Sequence, residues 1–99
     1  MPDVVSAFEW DEHKARSNER KHGVSFEEAQ TVFDDDDLLS DIDHEHSIAE
    51  LRFMIVGMSD RRRLLAVWIT YRDPFIRIIG ARHATPKERK NYEEKNQHR

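Results

Sequence analysis

"LRFMIVGMSDRRRLLAVWITYRDPFIRIIGAR", residues 51–82, decides the fold. It holds three runs rich in β-branched and aliphatic residues, at 51–58, 64–72 and 75–82, joined through SDRR and DP. Links this short suit hairpins, so the stretch reads as an antiparallel meander. A turn at Asp73-Pro74 places Tyr71 opposite Ile76 and Thr70 opposite Arg77. A turn over Ser59–Arg62 places Met58 opposite Arg63. Side chains alternate between the two faces of a strand. One face then carries Met54, Val56, Leu65, Val67, Ile69, Ile76 and Ile78. The other carries Phe53, Ile55, Leu64, Ala66, Trp68, Thr70, Arg72, Phe75, Arg77 and Ile79. Arg52 and Arg82 fall on the first, aliphatic parity, where a charge must reach the rim or find a carboxylate.

Working outward, VSAFEW at 5–10 reads as a short strand. Asp11 caps a helix over about 12–22, with Glu12 at its positive end, Lys21 and His22 at its negative end, and Gly23 closing it. Ser25 and Glu28 have capping-box spacing, and Phe26, Ala29, Val32 and Phe33 follow at helical intervals. The run DDDD at 34–37 ends this second helix as a solvated loop. LLSDIDHEH follows, with a strand over 38–43. His44 and His46 lie in its polar tail; a metal site there is the lesser reading, and none is expected. Past the meander, Thr85-Pro86 opens a last helix with Glu88 as capping-box partner. The whole is a single α+β domain over 1–99: a small antiparallel sheet with its helices packed on one face.

The 99 residues are 37% hydrophobic and 36% charged, enough for one modest core. There is no cysteine, so disulfides and thiolate metal sites are excluded. No run approaches the ~20 apolar residues of a membrane span. The first residues, MPDVVSAFEWDE, lack the basic start and apolar stretch of a secretory signal. The expected setting is cytoplasmic, away from membranes. The net charge of −4 conceals an asymmetry. Residues 1–60 hold 16 Asp/Glu against 5 Lys/Arg, a balance of −11, and residues 61–99 hold 4 against 11, a balance of +7. A basic half suits phosphates. Rings and guanidinium groups on one sheet face suit single-stranded RNA, whose bases stack while the cations hold phosphates. The competing reading makes Trp68 and Phe75 packing residues and pairs the arginines with acids of the first half.

A resemblance bears on that choice. The stretches FEWDEHKARSNERKHGVSFEEAQTVF, LRFMIVGMSDRRRLLAVWITYR and IRIIGARHATPKERKNYE resemble the BrnT family, toxins of type II toxin–antitoxin pairs, from about Phe8 to Tyr92. The matching residues are Phe8, Trp10, Asp11, Lys14, Asn18, Lys21-His22-Gly23, Phe26 and Ala29. Further along they are Arg52, Gly57, Leu64-Leu65, Thr70, Arg72, Arg77-Ile78-Ile79, Ala81-Arg82, Ala84-Thr85, Glu88-Arg89 and Tyr92. Three positions depart from the family's pattern: Gly80 stands where serine is usual, His83 where lysine or arginine is, and Tyr71 where an acid often is.

The resemblance implies a RelE-like fold, RNA cleavage that needs no metal or other cofactor, and inhibition of translation and growth. Such chemistry needs a base, cations for the charge developing on phosphorus, and an acid for the leaving oxygen. Arg72 and Arg77, then Arg82, are expected to stabilise the phosphate. His83, His22, Lys21 and Tyr92 are the acid–base candidates. Trp68, Thr70, Phe75, Arg52 and Lys87 are expected to contact RNA. The implied partners are the RNA substrate and a DNA-binding antitoxin, with promoter DNA reached only through that antitoxin. The alternative, from a different class, is a non-catalytic binding module acting as corepressor with a DNA-binding partner.

Overall fold

The structure is a computed structural model, and it describes residues 7–97. Expected strand positions 5 and 6 lie outside these. Strand β1 is Phe8–Glu9, and helix α1 spans Glu12–His22. The Asp11 carboxylate caps α1 by accepting from the His13 and Lys14 amides, and Gly23 closes it in the left-handed region at φ 70°. Helix α2, Phe26–Gln30, is capped by the Ser25 hydroxyl and tightens into a 3-10 turn over Thr31–Asp34. Strand β2 is Leu39–Ile42, β3 Arg52–Met58, β4 Leu64–Arg72 and β5 Phe75–His83. Helix α3, Pro86–Asn96, starts with the full capping box between Thr85 and Glu88.

The described strands form a five-stranded sheet in the order β1-β5-β4-β3-β2. Its meander is antiparallel, but β1 runs parallel to β5, pairing Phe8 with Ile76 and Glu9 with Arg77. The sheet is therefore mixed, not antiparallel throughout. Nor do the helices share one face. Ala15, Val24, Phe26, Ala29 and Val32 from α1, α2 and their flanks pack on Ile55, Leu65, Val67, Ile69, Ile78 and Ala81. Tyr92 of α3 and Ala84 pack on Val56, Leu64, Ala66, Met54, Met58 and Trp68 on the opposite face. The second face is half apolar because a helix covers half of it.

The register of the second hairpin is as the alternation predicts: Tyr71 faces Ile76 and Thr70 faces Arg77. The first differs by one residue. Arg62 takes the left-handed conformation at φ 62°, and Ser59 bonds to Arg63, leaving a three-residue loop. Met58 therefore faces Leu64, not Arg63. This transfers Ile55 and Phe53 to the α1–α2 face, and Met54, Val56 and Arg52 to the other. In β5 the register shifts between Trp68 and Ile69, whose partners are Gly80 and Ile78, so Ile79 is bulged out of the ladder. Beyond the bulge Ala81 turns to the α1–α2 core, and Arg82 turns to the face of Trp68. Neither Arg52 nor Arg82 has the aliphatic parity that strict alternation gives them.

Two close approaches hold the layers in place. Gly57 lies against the 3-10 turn, where a Cβ would meet Val32 Cβ at 3.1 Å and Leu38 Cβ at 3.3 Å. The Asn18 side chain donates to Ala81 O (2.8 Å) and accepts from Ala81 N (3.1 Å), closing the edge of β5 as a neighbouring strand would.

The buried Glu28 of α2 accepts from Ser59 Oγ (2.7 Å) and from Arg63 Nε and Nη2. The Arg63 hydrogen bonds hold its carboxyl below the ordinary 4.5 against the opposing effect of burial, helped by Ser59 and by the charges of Arg63 and Arg61. The unfolded chain thus takes up this proton at a higher pH than the folded one. Stability from Glu28 is complete above about pH 5 and is lost as pH falls through the depressed value. A plot of Tm against pH should fall more steeply below about pH 5 for the wild type than for Glu28→Gln. Parallel curves would show that the pair contributes nothing to acid stability.

Candidate active site

The Trp68 face is built from rows across β3, β4 and β5. One row is Arg52, Thr70 and Arg77; the next is Met54, Trp68 and Gly80; a third is Val56, Ala66 and Arg82. Arg72 and Phe75 pair at the hairpin end. Sequence positions about 25 residues apart in the meander thus become neighbours, and four arginines share one face with the Trp68 indole, Arg82 lying over its ring.

Each guanidinium has a carboxylate. Glu9 of β1 contacts Arg77 at 3.4 Å. Glu50 bridges Arg72 (3.4 Å) and Arg52 (3.6 Å). Both carboxylates come from the acidic half of the chain, so its charge asymmetry is realised as pairing across the sheet. These contacts are long and partly solvated, and such pairs exchange readily for another anion. Arg52 Nε is buried with no hydrogen-bond partner.

Arg82 is held differently. Its Nη1 and Nη2 donate to the two Glu88 oxygens at 2.9 and 3.0 Å, and its guanidinium lies 4.8 Å from the Trp68 ring centroid. This hydrogen bonding raises the Arg82 pKa and lowers that of Glu88. Glu88 also accepts from Thr85 N as the capping box of α3. The start of the helix and the position of the guanidinium are therefore fixed by the same carboxylate.

Trp68 is half-buried, with one side beneath Arg82. Its Nε1 donates to Asp43 Oδ2 at 2.9 Å, and the same oxygen lies 2.8 Å from His46 Nδ1. Burial opposes ionisation of Asp43, but the hydrogen bonds from His46 and Trp68 outweigh it and hold the carboxyl below its ordinary 3.8. His46, Arg52, Trp68, Ile79 and Gly80 line an open depression of about 200 Å³. Sequence patterning treats His46 only as a lesser metal-ligand reading and passes over Asp43. The Asp-x-x-His spacing within a 3-10 turn is the local signal, but only the fold brings Trp68 to it. Among the described residues Asp43, Glu45 and His46 bring ligand atoms within 4.8 Å of one another, the donor types a divalent cation would use.

The other expected residues are distributed as follows. Thr70 is buried, and its hydroxyl donates to Leu51 O at 2.8 Å. Tyr92 packs in the α3-side core and donates to Asp35 Oδ2 at 2.6 Å, tying α3 to the loop before β2. Lys21 and His22 lie at the end of α1 beside a separate depression lined by Lys14, Ser17, Asn18 and Ile79. The bulged Ile79 borders both depressions, so these two residues sit around the β5 edge from Trp68. His83 and Lys87 are exposed at the end of β5 and the start of α3. Gly80, the position where serine is usual, has room for one: an added Cβ meets only Asn18 Oδ1, at 3.8 Å.

Residues 10–88 match the family described as ribonuclease toxin, BrnT, of type II toxin–antitoxin systems. The chain belongs to the BrnT family. Its fold is similar to the crystal structure of the Brucella abortus ribonuclease toxin BrnT, with a TM-score of 0.60 and 21% identity over 82% of this chain and 99% of that one. No curated protein matches by sequence. Membership makes this a ribonuclease toxin of a type II pair, with RNA as substrate and an antitoxin as partner. Among the described residues no helix is long and apolar enough to cross a membrane.

Proposed function

We propose that the arginine-lined face of the meander is the active surface of a metal-independent endoribonuclease that blocks translation and growth, as in RelE-type toxins. The observation that carries this is that Arg52, Arg72, Arg77 and Arg82 share with Trp68 one face of the sheet, which α3 leaves half open. The phosphate at the cleavage site displaces the loose carboxylates of Glu9 and Glu50. Guanidinium groups then meet the charge that develops on phosphorus, the electrostatic task a metal performs elsewhere. Arg82, fixed by Glu88, supplies a cation whose position costs no reorganisation.

A free ribonuclease would harm its cytoplasmic host, so the antitoxin covers this surface. An amphipathic segment carrying Asp or Glu would take the places of Glu9 and Glu50, and rings beside arginines make good interface anchors. DNA binding then belongs to the antitoxin, since the acidic half of this chain is repelled by a duplex.

The test is cleavage of an RNA oligonucleotide by purified protein in excess EDTA, analysed for a 2′,3′-cyclic phosphate end. Cleavage persists in EDTA and stops when the antitoxin is added. A protein that cuts no RNA under any condition, yet tightens promoter binding by its partner, would instead be a corepressor module.

A further inference from the structure

We propose that His46, oriented by Asp43, is the general base of this ribonuclease, a role that rests on the active surface just described. The chemistry follows from hydrogen-bond inventory. An ionised carboxylate only accepts, and an indole N–H only donates. Asp43 Oδ2 accepts from Trp68 Nε1, and at 2.8 Å from His46 Nδ1 it accepts there as well. In the neutral imidazole Nδ1 then carries the proton, which leaves the lone pair on Nε2. Because Trp68 is rooted in β4, the carboxylate is fixed to the sheet, and it passes that placement to a loop histidine whose side chain is otherwise 59% exposed. The orienter, base and exposed ring nitrogen follow the pattern of catalytic histidines generally.

His46 borders the same depression as Arg52, Trp68 and Gly80. Arg52 lines it too, with its side chain about one-third exposed. The titratable and charged groups around His46 are Asp41 of β2, Asp43, His44 and Glu45 of its own turn, and Glu50 and Arg52. A phosphate held by Arg52 and Arg77 brings the adjacent ribose to the histidine. Nε2 takes the proton of the 2′-hydroxyl, and the 2′-oxygen forms a bond to phosphorus. The bond from phosphorus to the 5′-oxygen breaks, and that oxygen leaves with a proton from water or a neighbouring acid. The products are a 2′,3′-cyclic phosphate and a 5′-hydroxyl, with no net redox change.

The experiment compares wild type, His46→Asn and Asp43→Asn on one RNA oligonucleotide and on its analogue with a 2′-deoxy cleavage site. Asparagine at 46 keeps a donor for Asp43 and deletes Nε2. Cleavage by His46→Asn falls about 10²–10⁴-fold, while binding of the analogue is unchanged. Added imidazole restores part of the activity of His46→Ala. Asparagine at 43 presents an N–H to Nδ1 and favours the wrong tautomer, so kcat falls about 10²-fold or more with KM unchanged. His46→Asn cleaving at the wild-type rate would overturn the assignment and leave the ribonuclease reading intact. Activity lost in EDTA and restored by zinc would assign Asp43, Glu45 and His46 to a metal instead, and so overturn it too. A wild type that cleaves no RNA would remove the reading on which it rests. Should either variant at 46 fail to fold, the split between kcat and KM in Asp43→Asn decides.

Discussion

Arg77→Ala should lower RNA cleavage about 10²–10³-fold, the cost of removing one preorganised donor to a developing oxyanion, and should abolish growth inhibition. It should do so with little loss of stability. Arg77 lies opposite Thr70 in the open row of the sheet, and its contact with Glu9 is 3.4 Å between two side chains that are each about 30% exposed. Pairs of this kind contribute about 0–1 kcal/mol. For a domain of this size 1 kcal/mol corresponds to a Tm change of about 4–8 °C, so thermal melts set the ceiling on any structural explanation. Arg72→Ala should cost less activity, because Arg72 is half exposed at the hairpin end and shares Glu50 with Arg52. Full toxicity in both variants would remove this face from the reaction. A loss confined to variants that also melt early would reduce the arginines to structural residues.

Val67→Asp should abolish cooperative folding. Val67 is fully buried, pairs with Ile55 and Ala81 across the sheet, and faces the α1–α2 layer. A carboxylate there finds aliphatic neighbours on the core side, and an unpaired buried charge costs several kcal/mol. Domains of this kind are stable by about 5–15 kcal/mol in total. The neighbouring Trp68→Ala behaves differently: the domain folds, but RNA binding and cleavage both fall. Its ring is half-buried, so the loss of packing is partial. The larger consequence is that Asp43 loses its anchor and Arg82 loses the surface on which it lies. Circular dichroism and thermal melts on the two variants check this; a folded Val67→Asp would mean that β4 has the opposite face buried.

Local chemistry made part of this legible. Asp11 and Gly23 bound α1, and Thr85 with Glu88 starts α3, because a cap acts on amides within three or four residues of itself. The second hairpin also follows from the sequence, since Asp73-Pro74 leaves one short way to turn. That is enough to put Arg72, Arg77, Trp68 and Phe75 on one face. The first hairpin was not legible in this way. Its loop length depends on Arg62 adopting a left-handed conformation that glycine usually supplies. One residue of error there reverses every side chain of β3.

The sequence by itself determined helices α1 and α3 with their caps, the three strands of the meander, the α+β class, and the register that sets Arg77 opposite Thr70, because each of these rests on contacts between residues close along the chain. Tertiary structure alone decided the rest. The bulge at Ile79 turned Arg82 toward Trp68, the pairing of β1 beside β5 brought Glu9 to Arg77, and α3 crossed to the second face of the sheet. It likewise set Asp43 and His46 against Trp68, some 25 residues away in the chain. A period of two says which residues share a face of one strand. It does not say which strand lies alongside, where a ladder slips, or which loop folds back over the sheet, since those depend on packing among segments distant in sequence.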